Sequence, residues 1–285
     1  MTILVTGGNG QLGSALRLAS AESQHRYIFT DIEYLDITSS EAVEICFENE
    51  NIDVVVNCAA YTAVDLAEDN EDVADAINNK AVAILADACQ RHDATLIHIS
   101  TDYIFAGDAT TPYTEEAIPA PLNAYGRTKL AGEKAVTESG CRYIILRTAW
   151  LYSEFGRNFV KTMRNLTSSR PEIKVVADQY GSPTYAGDLA GAIAEIIEGG
   201  KLHKTGVYNY SNLGACSWFD FAVEIAKESG YNSCKILPCT TEEYPTKAQR
   251  PPYSVLEKSK FIENFEISIP EWRKSLAKCI KQLNN

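Results

Sequence analysis

Short apolar runs rich in β-branched and aromatic residues recur at Ile3-Leu4-Val5, Tyr27-Ile28-Phe29, Val54-Val55-Val56, Leu96-Ile97-His98-Ile99 and Tyr143-Ile144-Ile145-Leu146. Runs of this length without polar alternation predict strands buried on both faces. Between them, apolar residues return at helical spacing over 12–21, 40–50, 73–91 and 125–139. Strand then helix, repeated, predicts a doubly wound α/β fold with a parallel sheet and right-handed crossovers. Beyond about residue 157 the pattern loosens to helices over 158–168 and 186–198, strands at 174–177 and 206–210, and amphipathic helices over 217–229 and 270–283. The expected division is a doubly wound domain over 1–157 and a smaller lobe over 158–285, with late segments such as 186–210 returning to the first sheet.

Composition narrows the function classes. Among 285 residues, 26 Lys plus Arg stand against 38 Asp plus Glu, a formal charge of −12 spread along the chain. This argues against nucleic-acid and anionic-membrane partners. No apolar run approaches the ~20 residues of a membrane span, and no basic region or small-residue cleavage site precedes the first strand, so a cytoplasmic protein is expected. The eight cysteines form no C-x-x-C and the four histidines show no ligand spacing, which predicts reduced structural thiols and no metal.

Directly after the first strand comes Gly7-Gly8-Asn9-Gly10-Gln11-Leu12-Gly13, opening a helix. Glycines at 7, 10 and 13 permit a tight turn, close approach to a pyrophosphate and packing of the helix on the sheet. The helix N-terminus adds free N–H groups and a positive dipole end. Asp31 ends the second strand, 18 residues beyond Gly13, where a carboxylate can accept from an adenosine ribose. That acid favours NAD, and no arginine stands beside it to neutralise a 2′-phosphate; Arg26 precedes the strand and Arg17 lies in the first helix.

The fourth strand runs into Ser100-Thr101-Asp102-Tyr103, and 24 residues after Thr101 comes Tyr125-Gly126-Arg127-Thr128-Lys129 at the start of a helix. Tyrosine and lysine four apart share one helical face. A free phenol titrates near ~10, and an ammonium beside it is expected to lower that value, giving a usable acid near neutrality. Thr101, the glycine loop and Asn57-Cys58-Ala59-Ala60 all lie at carboxyl ends of strands, where such folds bind ligands.

These motifs, with Asn57-Cys58-Ala59-Ala60-Tyr61-Thr62-Ala63-Val64-Asp65, Arg147-Thr148-Ala149-Trp150-Leu151-Tyr152, Asp178-Gln179-Tyr180-Gly181-Ser182-Pro183-Thr184 and Arg250-Pro251, resemble the extended short-chain dehydrogenase/reductase family over essentially the whole chain. The resemblance implies a Rossmann-type NAD(P)-binding domain, a C-terminal substrate-binding lobe, and reduction of the C4 ketone of a dTDP-linked 4-keto-6-deoxyhexose. It implies NADPH as cofactor, with NADH left open. Tyr125 then supplies the proton, Lys129 holds the cofactor ribose and depresses the tyrosine, and Thr101 hydrogen-bonds the carbonyl. By the same resemblance Gly7, Gly10, Gln11, Leu12 and Gly13 cradle the pyrophosphate, Asp31, Asp36 and Ile37 meet the adenosine end, and Ala60, Tyr61 and Thr62 line the cofactor. Asp102 and Trp150 touch the sugar, while Asn158, Gln179, Thr184 and Arg250 contact the nucleotide diphosphate.

Two departures sharpen the expectation. Dehydratases of this superfamily carry Asp-Glu after the threonine, whereas Tyr103 follows Asp102 here, so no second carboxylate is there to expel a hydroxyl. Reductases that bind magnesium at a dimer interface use two glutamates whose positions hold Ala15 and Gly187, so a magnesium-independent enzyme, a monomer or weak homodimer, is expected. Two other readings stay open: a non-catalytic NADP-binding regulatory subunit, and a nucleotide-sugar epimerase that keeps its NAD.

Overall fold

In the computed structural model, which describes residues 1–284, the chain opens with β1 (Thr2–Thr6), α1 (Gln11–Ala19), β2 (Arg26–Phe29), α2 (Ser40–Glu50) and β3 (Val54–Asn57). There follow α3 (Val64–Ala67), α4 (Glu71–Asp75), a π-helical segment Ala76–Lys80, α5 (Ala81–Arg91), β4 (Thr95–Thr101) and a 3-10 turn at Asp102–Ile104. Next come α6 (Ala124–Glu138), β5 (Arg142–Thr148), β6 (Leu151–Tyr152), α7 (Phe159–Ser169), β7 (Glu172–Val176), β8 (Tyr180–Gly181) and β9 (Thr184–Tyr185). The chain closes with α8 (Ala186–Glu198), β10 (Gly206–Asn209), β11 (Cys216–Ser217), α9 (Trp218–Glu228), β12 (Lys235–Cys239), α10 (Ser259–Phe265) and α11 (Trp272–Leu283).

Six strands form one parallel sheet in the order β2-β1-β3-β4-β5-β10. Alternation along each strand explains its two cores. Ile3, Val5, Val54, Val56, Ile97, Ile144 and Leu146 face α1, α8 and α10. Leu4, Val55, Leu96 and Ile145 face the other way, onto α2, α5 and Val136 of α6. The chain leaves β1 for β2, then returns to β3 on the other side. Its winding therefore reverses between β1 and β3, and the crevice above their carboxyl ends is where such sheets take ligands.

A third core gathers Tyr152, Val160, Met163, Ile173, Val175, Phe221, Trp272 and Leu276 from α7, β7, α9 and α11. Here β7 pairs with β12, a strand the apolar pattern does not predict: Lys235-Ile236-Leu237-Pro238-Cys239 carries a proline, tolerated at the edge of a two-stranded sheet. The helix expected over 73–91 starts at Glu71 and is interrupted by the π segment. That segment rests on α6 at Gly132, where a Cβ would lie 2.1 Å from the Asn78 carbonyl oxygen. All eight cysteines are free and six are buried. Among the described residues no helix is long and apolar enough to cross a membrane.

Candidate active site

The glycine loop sits at the reversal point. Gly7 has φ +63°, and a Cβ on it would lie 2.7 Å from the Ala59 nitrogen. A Cβ on Gly13 would lie 2.4 Å from the Gly7 oxygen. These two glycines are thus required by chain packing on chain. Gly10 caps α1 without a side chain, and its own N–H bonds the Gly7 oxygen at 3.0 Å. The first-turn N–H groups of Gln11, Leu12 and Gly13 have no intrahelical acceptor, which suits an anion.

The side chains expected beside the cofactor divide by role. Leu12 and Ile37 are buried in the cores on opposite faces, so only their backbones can meet a ligand. Gln11 Oε1 accepts from Ser153 Oγ at 3.0 Å and Asn158 Nδ2 at 2.9 Å, tying the loop to the second lobe. Asp31 accepts from Asn9 N–H at 3.2 Å and Ile32 N–H at 2.9 Å, which anchors it against the loop. Asp36 is exposed, and hydrogen bonds from the Thr38 hydroxyl and N–H hold its carboxyl below the usual range. Ala60, Tyr61 and Thr62 follow β3. Asn78 of the π segment grips the Tyr61 backbone, accepting from its N–H at 2.9 Å and donating to its carbonyl at 3.1 Å and to Thr128 Oγ1 at 3.1 Å.

Thr101 at the end of β4 and Tyr125 near the start of α6 come together because the two elements meet closely. Gly126 allows this: a Cβ there would lie 2.2 Å from the Tyr103 carbonyl oxygen. Asn123 caps the helix, its Oδ1 accepting from Gly126 N–H at 2.8 Å while its Nδ2 donates to the Gln249 carbonyl. The Tyr103 ring stands edge-on to Tyr125 at 5.6 Å. Thr101 Oγ1 accepts from Tyr103 N–H at 3.2 Å and donates to Asp102 Oδ1 at 3.1 Å. Asp102 is buried, and burial pushes its carboxyl up to about 6.

The expected lowering of the phenol by Lys129 is not what the structure holds. Burial pushes Tyr125 up to about 12, against the pull of the Thr101 hydroxyl and with Asp102 adding to the rise. Lys129 is only 1% exposed, and its Nζ donates to the Ile99 carbonyl at 2.6 Å and lies 3.4 Å from His98 Nε2. Burial brings this amine down to about 8. The reason is tertiary: the lysine stem runs into the sheet instead of along the helix surface toward the phenol.

Beside Tyr103 opens a cavity of about 590 Å³ between the lobes, lined in part by Thr62, Phe159, Gln179, Trp218 and Arg250. Gln179 is buried and donates to Thr241 Oγ1 at 3.0 Å. Arg250 closes its fork on Asp65, with Nη1 to Oδ1 at 3.1 Å and Nη2 to Oδ2 at 2.8 Å. This joins α3 to the second lobe, so the guanidinium lies at the cavity already engaged by a carboxylate. Thr184, expected at the diphosphate, is 0% exposed and hydrogen-bonded to Thr148 Oγ1 at 3.1 Å; the structure does not bring it to the cavity. Asn158 is likewise taken by capping α7, its Oδ1 accepting from Lys161 N–H at 3.1 Å.

Trp150 has φ +48°, a left-handed conformation that a bulky residue rarely adopts. Its indole stacks on Trp218 with ring centroids 3.5 Å apart and lies so close over Gly181 that a Cβ there would come within 2.6 Å of the ring. Trp218 is a cavity residue that the sequence reading missed. Its visible signal was a helix start, the Ser217-to-Asp220 capping box, and an aromatic there reads as core. Asn78 was missed as well, because nothing local marks a π segment.

The sequence matches the family described as RmlD substrate binding domain over residues 1–285. A dTDP-4-dehydrorhamnose reductase of Mycolicibacterium smegmatis is 42% identical over 276 residues, covering 96% of this chain and 83% of that protein. The crystal structure of a dTDP-4-dehydrorhamnose reductase from Clostridium acetobutylicum superposes with a TM-score of 0.95 at 43% identity, covering 100% of both chains. That of the Bacillus anthracis reductase in complex with NADP gives 0.92 at 39% identity, covering 99% of both.

Proposed function

The chain belongs to the RmlD family of dTDP-4-dehydrorhamnose reductases, and from that membership we propose how its residues carry the reaction, the reduction of the C4 ketone of dTDP-4-dehydro-6-deoxy-L-mannose to dTDP-L-rhamnose. The observation that carries the assignment of residues is the hydrogen-bonded meeting of Thr101 and Tyr125 where α6 closes on the turn after β4, with the interlobe cavity adjoining at Tyr103. The free N–H groups of α1 fit a pyrophosphate, and NADPH is our choice of cofactor because the Bacillus anthracis relative binds NADP. Asp31 would meet the adenosine ribose, with the backbones of Asp36 and Ile37 nearby; Ala60, Tyr61 and Thr62 would flank the nicotinamide half.

When bound, the reduced dinucleotide supplies the hydride. Thr101 orients the ketone oxygen with its hydroxyl, and Tyr125 gives that oxygen its phenolic proton as negative charge develops. A phenol held at about 12 by burial stays protonated at neutral pH, which is the state a donor needs. Lys129 would hold the cofactor ribose and return a proton to Tyr125 after turnover. The cavity, lined by Gln179 and by Trp218 with Trp150 stacked behind it, would take the nucleotide and sugar, while Arg250 acts through its hold on Asp65.

Purified protein given dTDP-4-dehydro-L-rhamnose should oxidise NADPH, read as loss of absorbance at 340 nm, with dTDP-rhamnose as product. Parallel reactions with NADH rank the two cofactors. Binding of the cofactor without oxidation would favour a regulatory subunit, and a tightly copurified NAD would favour an epimerase. For the assembly we hold to a magnesium-independent monomer or weak homodimer. Ala15 is buried and a side chain at Gly187 would overlap the Tyr185 ring, so neither position offers a carboxylate. Sedimentation should be the same with magnesium and with chelator.

A further inference from the structure

A row of polar side chains crosses the carboxyl ends of β1, β3 and β4, behind the site. Thr6 lies in register with Asn57, and Asn57 with His98, all on the face toward α5 and α6. All three are buried, as is Lys129, which reaches them from α6. The Ala59 backbone N–H, which can only donate, bonds Asn57 Oδ1 at 3.2 Å, and Thr6 Oγ1 donates to the same oxygen at 2.7 Å. A flipped amide would set Nδ2 against the Ala59 N–H, donor against donor, whereas the Thr6 hydroxyl could serve either orientation, so the Ala59 N–H fixes the amide. Its Nδ2 therefore faces His98 Nδ1 at 3.1 Å, and that ring nitrogen must accept.

Burial holds His98 well below the usual imidazole range, so the ring is neutral and its single proton sits on Nε2. Nε2–H points at Lys129 Nζ, 3.4 Å away. An ammonium there sets donor against donor; a free amine accepts through its lone pair and still donates to the Ile99 carbonyl. We propose that His98, fixed as the Nε2–H tautomer by Asn57 and Ala59, is a positioning residue that accommodates Lys129 in this pose only as the free amine, so that the lysine takes up a proton from solvent water as its tip leaves the β4 backbone for the site. The inference rests on the role proposed above for Lys129.

The surrounding charges do not supply this preference. Glu133, one turn on along α6, favours the ammonium but is held by Arg147 from β5 at 3.0 and 2.7 Å. From α4 and the π segment, Glu71 pairs with Arg127 and Asp75 with Lys80. Asp102, Tyr103 and Tyr125 lie at the mouth of the site, and of these Asp102 would favour an ammonium. The low value of the amine, about 8, is led by burial and agrees with the direction.

The test is spectroscopic. Long-range ¹⁵N–¹H correlation on histidine-labelled protein should report His98 with its proton on Nε2 from pH 6 to pH 9. His98→Gln offers an acceptor to the ammonium, and the Lys129 titration, followed by its ¹³Cε shift, should rise by about one pH unit. Asn57→Asp should move the imidazole proton to Nδ1 and shift the lysine the same way. The alkaline limb of kcat/KM should follow the lysine in both variants, which a merely structural role would leave in place. An Nδ1–H tautomer in the unaltered protein, or a lysine titration unmoved by His98→Gln, would overturn the inference. Full activity in Lys129→Met would instead overturn the assigned role of the lysine and leave the titration result standing.

Discussion

At Tyr125 the phenol is protonated at neutral pH because burial outweighs every partner around it. Tyr125→Phe keeps the ring that packs beside Tyr103 and removes only the donor, so kcat should fall by ~10²–10⁴-fold with the thermal midpoint nearly unchanged. Near-normal turnover would remove the tyrosine from the mechanism. Asp102 shows a cost borne for position. Its folded-state value near 6 exceeds the ~3.9 of an unfolded aspartate, so the folded form binds the extra proton between those values. Its contribution is therefore fully present below about pH 4 and is lost as pH rises through 6, amounting to up to about 3 kcal/mol. Asp102→Asn should melt higher than the unaltered protein at pH 7.5, with the gap closing by pH 4; a gap that does not depend on pH would contradict the buried ionisation.

At the scale of elements, the junction of α6 with the turn after β4 sets the catalytic distance. Gly126→Ala must push the helix start off the Tyr103 carbonyl, costing about 1–3 kcal/mol as overpacking does, and should lower kcat more than it raises KM. Denaturant titration beside steady-state kinetics separates the two effects. The strands of the large sheet were legible because runs such as Val54-Val55-Val56 have one stable placement, between two helical layers. The start of α6 was legible from Tyr125 and Lys129, but not where Lys129 goes, since burial of its tip depends on His98 and Ile99 from another element. The π segment, β12 and α10 escaped for a related reason. Asn78 is held by Tyr61 and packed on Gly132, β12 by β7, and α10 by insertion of Phe261 and Phe265 into the first core. Thr184 was expected at the diphosphate from the resemblance, yet it is buried with its oxygen accepting from the Thr148 hydroxyl, a partner on another element that no local pattern marks.

On the scale of the whole molecule, the chain returns late to finish what it began. Both α8 and β10 follow the second lobe's first elements, yet α8 covers Ile3, Val5, Val54 and Ile97, and β10 completes the sheet beside β5. A fragment of residues 1–157 lacks both, leaving one apolar face of the sheet open. It should bind a hydrophobic dye and melt without a cooperative transition; a sharp two-state melt would show that the dinucleotide-binding half folds alone. The cavity between the lobes inherits this arrangement, because Arg250 and Gln11 each reach across from one part to the other.

The stacked indoles of Trp150 and Trp218 have an optical consequence. Two parallel chromophores 3.5 Å apart, joined to different elements, couple their transitions and should give a paired band of opposite signs in circular dichroism. Trp272, the third tryptophan, sits buried against Phe221 and serves as an internal reference. Because Trp218 lines the interlobe cavity and Trp150 stacks on it, the strength of that coupled band should report any change in the stacking, reading occupancy of the cavity without a label and without turnover.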